Sequence, residues 1–232
     1  MTEERDMITL EFDEGKEVEC EMMGLFDANG KEYIALIPDD GTDDVWIYAY
    51  KEIGEEGLWK NLGHFIEEII PVAAECDVNM AIHPDDPPWG MFGLPRIITC
   101  AENVRRFLNI VPETNNGITL CTGSWGASPD NDLIAMAAEF ADRIHFVHLR
   151  NIKITGERRF EEVGHPSCCG SIDMYGIAKA LVDNGFDGYV RPDHGRMIWD
   201  EVAMPGYGLY DRALGAVYLS GLWEAIKKTL EK

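Results

Sequence analysis

The chain is poor in positive charge. Its 232 residues hold 20 Lys+Arg against 42 Asp+Glu, a formal net charge of −22. Such a surface repels nucleic acid and anionic membranes rather than binding them. Long hydrophobic runs are also missing, and no stretch of about 18 apolar residues is there to span a bilayer. Met1-Thr2-Glu3-Glu4-Arg5-Asp6 has no basic region leading into an apolar one, so no secretory signal is read in it. Cysteine is sparse, with six residues scattered apart from Cys168-Cys169, and none of the spacing belongs to a disulfide-stapled domain. These absences point to a cytoplasmic protein with reduced thiols, each free to be a core residue or a metal ligand.

The charge that is present is uneven. Met1 to Leu58 carries 18 acids and 4 bases, a net of −14, while the remaining 174 residues carry 24 and 16, a net of −8. A step of this size marks two domains, read as 1–57 and 58–232. The first alternates charged and apolar residues in Met7-Ile8-Thr9-Leu10-Glu11-Phe12 and from Lys16 to Met22. Asp27-Ala28-Asn29-Gly30 is a turn signal, and Pro38 to Asp44 is a polar turn before the aromatic run Val45 to Tyr50. A small antiparallel sheet of three to five strands is expected, followed by a linker over Lys51 to Gly57.

From Leu58 the rhythm changes. Helices are expected at Leu58–Cys76 (with Pro71 kinking or dividing it), Ala101–Ile110, Asn131–Arg143, Asp173–Asn184 and Leu209–Leu230. Short strands are expected at Val78–His83, Gly117–Cys121, Ile144–Leu149 and Gly188–Pro192. Repeated strand–helix units imply an α/β fold with a parallel sheet and right-handed crossovers.

A metal-capable or polar residue stands at the end of each of these strands: His83, Cys121, His148 and Asp193. In parallel α/β folds the active site lies at that end of the sheet. Their spacings of 38, 27 and 45 residues each fit one strand–helix unit plus a loop. Taken singly, each has a plain reading: a structural histidine, a small buried hydrophobe at Cys121, a helix cap at Asp193. Four on four successive strands can converge on one ion. Two imidazoles, a thiolate and a carboxylate suit iron(II), manganese(II) or zinc better than magnesium or calcium. Room for a substrate hydroxyl and carboxylate favours an octahedral ion, hence iron(II) or manganese(II). Cys20, Cys76, Cys100, Cys168 and Cys169 have no such placement, and His64 reads as ordinary packing. Strand alternation sets His145 with Val147 on one face and Phe146 with His148 on the other.

Five segments then carry a resemblance. Met80 to Pro88, Leu120 to Ser124, His145 to Asn151, Arg191 to Arg196 and Pro205 to Arg212 resemble the D-mannonate dehydratase family, in order, from about Leu58 onward. The resemblance implies a (β/α)8 TIM barrel that removes water from D-mannonate, giving 2-keto-3-deoxy-D-gluconate in hexuronate (glucuronate) catabolism, with iron(II) or manganese(II). It implies His83, Cys121, His148 and Asp193 as ligands. His194 resembles the family's acid/base residue and Tyr207 its partner, with Tyr210 the alternative. Arg150, Asn151 and Arg196 would suit the substrate carboxylate and hydroxyls. His165 would lie on a loop over the site, its plain alternative being a solvent-exposed loop histidine. The acidic segment, through Ile8-Thr9-Leu10, Gly30 to Leu36 and Ile47 to Tyr50, resembles the YrzB-like bacterial domains of unknown function, which implies no chemistry.

A whole barrel takes about 250 residues, more than the 174 after Leu58, and the resemblance implies that the four strands are its last four strand–helix units. A half-barrel exposes two strand edges and an apolar sheet face. Association, as a homo-oligomer or with a complementing chain, or else partial instability is therefore expected, together with metal binding and weak or no turnover. The alternatives are a non-catalytic metal-binding module or a gene-fusion remnant. Sugar-isomerase-like barrels use mostly carboxylate ligands, and Cys121 speaks against them.

Overall fold

The charged–apolar alternation at the start of the chain becomes an antiparallel meander. In the computed structural model, which describes residues 7–12, 16–42, 44–49 and 53–230, the strands are β1 (Met7–Phe12), β2 (Lys16–Ala28), β3 (Lys31–Pro38) and β4 (Trp46–Ala49). Asn29 and Gly30 join β2 to β3 with φ of 52° and 72°. That left-handed pair is the backbone of a tight hairpin turn whose twist matches its strands, and it explains the Asn-Gly sequence there. One face gathers Cys20, Ile34 and Leu36 under Ile8, Leu10, Val18, Met22 and Trp46. Glu17 and Glu19 alternate outward from the same strand, so the acidic charge accumulates on solvent positions. The readings made for residues 1–6, Asp43, Tyr50, Lys51 and Glu52 lie outside the described residues.

The chain divides into two compact units, Met1–Ile53 and Gly54–Lys232. Helix α1 (Glu55–Glu75) opens the second and takes in residues expected to be linker. Glu55 and Glu56 in its first turn favour its positive end. Pro71 lies inside this one continuous helix and does not divide it. The carbonyl that Pro71 leaves free belongs to Glu67, and both residues are exposed, so water can take the missing bond.

The remaining elements are β5 (Met80–Ile82), α2 (Ala101–Ile110), β6 (Asn116–Cys121), α3 (Thr122–Gly126), α4 (Leu133–Glu139), β7 (Ile144–His148), β8 (Ile152–Gly156), β9 (Arg159–Glu162), α5 (Met174–Asp183), β10 (Tyr189–Arg191) and α6 (Leu209–Leu230). Helix α4 is shorter than the expected 131–143. Asp132 caps it by accepting from the Ala135 amide, and Asn131 instead donates to the carbonyls of Thr99 and Trp125. A 3-10 turn at Ala141–Arg143 finishes the segment. Gly185, at φ 78°, ends α5 as expected of a helix-terminating glycine.

Strands β5, β6, β7 and β10 form one parallel sheet in that order, so each strand lies beside its successor in the chain. The fold is mixed α/β, with a parallel sheet and separate antiparallel ones. Every residue of β6 is buried, as befits an inner strand covered on both faces. Ile118, Leu120, Val147 and Leu149 pack with Ile66 and Ile70 of α1, Phe107 of α2 and Ile177 and Leu181 of α5. Hairpin β8–β9 was absent from the sequence expectations; it turns through Arg158 at φ 51°. Among the described residues no helix is long and apolar enough to cross a membrane.

Candidate metal centre

Parallel pairing brings the strand ends into line. Cys121 is the last residue of β6 and pairs in register with His148, the last of β7, which pairs in turn with Arg191 of β10. His83 follows β5 directly, and Asp193 stands two residues beyond β10. One ring or sulfur atom from each of His83, Cys121 and His148 lies within 4.8 Å of the other two. Donors at about 2.0–2.3 Å from a shared ion sit at most about 4.6 Å apart, so small adjustments let these three hold one ion.

Asp193 flanks two of the three. Its Oδ1 lies 3.4 Å from His148 Nδ1, and its Oδ2 lies 3.8 Å from Cys121 Sγ. Asp193 has φ 65°, a left-handed conformation that Asp tolerates better than most residues, and this turns its carboxylate back over the strand ends. Burial alone would raise its pKa, but the neighbouring His148, with His194 and Arg191, outweighs burial and holds it at about 2. Burial also works against a charged His148, yet Asp193 and Cys121 outweigh it and raise the imidazole pKa.

The arrangement fits a cation. Among the described residues the buried His148 Nδ1 has no hydrogen-bond partner, although the Asp193 carboxylate stands at ion-pair distance. Ser124 donates a 3.1 Å hydrogen bond to the Cys121 sulfur and so fixes its position. His83 sets Nδ1 2.7 Å from its neighbour's carbonyl, on Pro84, which leaves Nε2 for a ligand role. The clustered donors are two imidazoles and one sulfur, with the Asp193 carboxylate beside them.

The remaining expected site residues divide into two groups. His194 and Tyr207 lie beside the cluster: their rings are 5.7 Å apart, and His194 Nε2 is 3.8 Å from Asp193 Oδ2. Tyr210 packs instead at 5.7 Å from the Trp199 ring. Other residues are already engaged. Arg150 donates from Nε to Glu162 at 2.9 Å and from Nη1 to Asp86 at 2.5 Å, and its Nη2 also binds Glu162. The Asn151 amide donates to the carbonyls of Gly164 and Pro166. Arg196 forms a two-point pair with Asp211, at 2.8 and 3.1 Å. His165 is buried, not solvent-exposed. Its Nε2 lies 2.8 Å from the Pro192 carbonyl, and its ring packs where a Cβ on Gly215 would approach within 2.4 Å.

Sequence reasoning missed Glu162, which binds both Arg150 and His194, and gave no role to Asp86. Burial would raise the Glu162 pKa, but His194 and Arg150 outweigh it and lower it, keeping the group ionised. The signal was available in Ile152-Lys153-Ile154-Thr155-Gly156, whose alternation before a turn marks a hairpin that carries Glu162 back over the strand ends.

Comparison with known proteins is consistent with this geometry. The family described as D-mannonate dehydratase (UxuA) matches residues 41–232, and one described as a protein of unknown function (DUF1292) matches residues 13–63. Mannonate dehydratase of Thermotoga neapolitana is 59% identical over 185 residues, 79% of this chain and 51% of its own. Mannonate dehydratase 1 of Bacillus licheniformis is 54% identical over 180 residues, 78% of this chain and 49% of its own. The crystal structure of mannonate dehydratase from Streptococcus suis serotype 2 superposes with a TM-score of 0.75 at 51% identity, covering 78% of this chain and 53% of that one. The chain thus spans about half the length of the curated relatives it matches.

Proposed function

The chain belongs to the D-mannonate dehydratase family, and from that premise we propose that its second unit is a metal-dependent sugar-acid dehydratase module. Its substrate would be D-mannonate and its product 2-keto-3-deoxy-D-gluconate. The observation that carries this reading is the cluster of His83, Cys121 and His148 at neighbouring strand ends, with Asp193 and His194 beside it. We read the four parallel strands, in chain order and alternating with helices, as the last four units of a (β/α)8 barrel.

His83, Cys121, His148 and Asp193 would hold the cation, iron(II) or manganese(II) by the mixed softness of the donors and the need for open positions. When bound, it would supply Lewis-acid polarisation of substrate oxygens. Dehydration breaks the C2–H and C3–O bonds, releases water and leaves an enol that becomes the ketone. One group must take the C2 proton and another must protonate the leaving hydroxyl. His194 and Tyr207 stand side by side to divide these tasks. The described cysteines are all free, which is in keeping with a cytoplasmic setting. Among the described residues, outer strands β5 and β10 each pair on one side only, which supports association with a second copy or a complementing chain.

One observation favours a second reading, a metal-binding module with little turnover. Both arginines assigned to the substrate carboxylate, Arg150 and Arg196, already hold carboxylates of the chain. Incubation with D-mannonate and manganese(II), with detection of the 2-keto product, decides between the two. The dehydratase reading expects product that is lost in His194→Asn. Metal uptake without product leaves the binding module.

A further inference from the structure

We propose that Glu162 is a positioning residue that fixes the tautomer and direction of the His194 imidazole, at the end of a chain running Asp86–Arg150–Glu162–His194. The proposal rests on reading His194 as the group that moves a proton. Glu162 Oε1 lies 2.9 Å from His194 Nδ1 and 2.9 Å from Arg150 Nε, so one oxygen is pinned from two sides. Arg150 is held in turn by Asp86 at 2.5 Å, and its side chain is only 4% exposed. The guanidinium also lies 5.8 Å from the Phe160 ring centroid. Its stem crosses the backbone of α3 at Gly123, where a Cβ would stand 2.3 Å from Arg150 Cδ. The carboxylate therefore has little freedom to leave its place.

An ionised carboxylate accepts hydrogen bonds and donates none. The proton between Glu162 and His194 accordingly belongs to Nδ1. Nε2, on the side of Asp193, is then left as the nitrogen that exchanges a proton with substrate. Without Glu162 the ring is free to carry its proton on Nε2, and in that tautomer it accepts nothing there. A carboxylate that orients a histidine in this way works through tautomer and direction, without becoming protonated itself. The same geometry recasts Arg150 and Asp86: they hold Glu162 in place rather than grip substrate.

The metal-free chain labelled with 15N in histidine gives the direct test. The chain has six histidines, and His194→Asn assigns the relevant signals. At a pH where the ring is neutral, the expected spectrum shows His194 Nδ1 protonated and Nε2 bare. In Glu162→Ala the Nε2-protonated form is expected to appear. A wild-type ring protonated on Nε2 overturns the proposal, as does an unchanged His194 spectrum in a folded Glu162→Ala. Should that variant not fold, the wild-type spectrum still decides. Turnover adds a second readout. Glu162→Ala is expected to lower kcat about 100-fold with KM little changed, and Glu162→Asp to recover part of the loss; an unchanged kcat also overturns the proposal. A wild-type chain that makes no product sinks the dehydratase reading, while the tautomer spectrum still judges this one.

Discussion

Two polar clusters meet at His194, and they differ in one respect. In the Asp86–Arg150–Glu162 network the charges face partners of opposite sign within the chain. In the strand-end cluster two imidazoles and a sulfur converge with a carboxylate beside them, and among the described residues the buried His148 Nδ1 has no hydrogen-bond partner. Buried polar groups are normally satisfied, and one left over among metal-capable side chains is consistent with a bound cation. The satisfied network reads as scaffold and the unsatisfied one as a site. The contrast also explains how two residues of one segment, His148 and Arg150, come to have different roles: one ends a strand among donors, the other reaches across to two carboxylates.

That difference can be broken from either side. The largest effect is expected at the site: Cys121→Ser or His148→Ala should weaken manganese(II) binding by more than about 100-fold, since even outer partners of metal ligands are worth 10–100-fold. Calorimetric titration checks this, and affinity within a few-fold of wild type would erase the distinction. On the scaffold side, Arg150→Met should cost about 2–4 kcal/mol in urea unfolding. A fully buried broken pair costs about 3–5 kcal/mol, and the discount reflects Asp86 and Glu162 side chains that keep 29% and 27% exposure. Gly123→Ala should follow at about 1–3 kcal/mol, because the added methyl meets the pinned Arg150 stem.

The smallest effect concerns pH. Burial would raise the Asp211 pKa, but Arg196 outweighs it and holds it below 3.8. A depressed carboxylate contributes stability above its unfolded value that is lost as pH falls through the folded one. The stability gap between wild type and Asp211→Asn should therefore narrow as pH drops below about 4. Arg196 is 45% exposed, so the change should be about 1 kcal/mol or less. A gap that widens on acidification would contradict the sign.

How much of this was legible follows the same division. Helices α2 and α6 were read to the residue, and in α2 the apolar spacing agrees with the packing, since Val104, Phe107 and Leu108 are all buried. His83, Cys121, His148 and Asp193 stood out by residue type at strand ends. Glu162 does not stand out by residue type, being one of 42 acids that meets His194 across 32 residues; only the hairpin signal before it points there. Its role exists only once hairpin β8–β9 folds back. Arg150 is the converse case, since its charge was visible in the sequence and the carboxylates of Asp86 and Glu162 that it holds were not. Pro71 and Asn131 show the local limit, where exposure in one case and two distant carbonyls in the other decided the outcome.

X-ray absorption on the iron(II)-loaded chain tests the centre most directly. One iron per chain is predicted, with a single sulfur neighbour among nitrogen and oxygen neighbours, and that sulfur should vanish in Cys121→Ser. An iron surrounded only by oxygen, or a sulfur signal that survives the substitution, would contradict the claim that these four side chains share one ion.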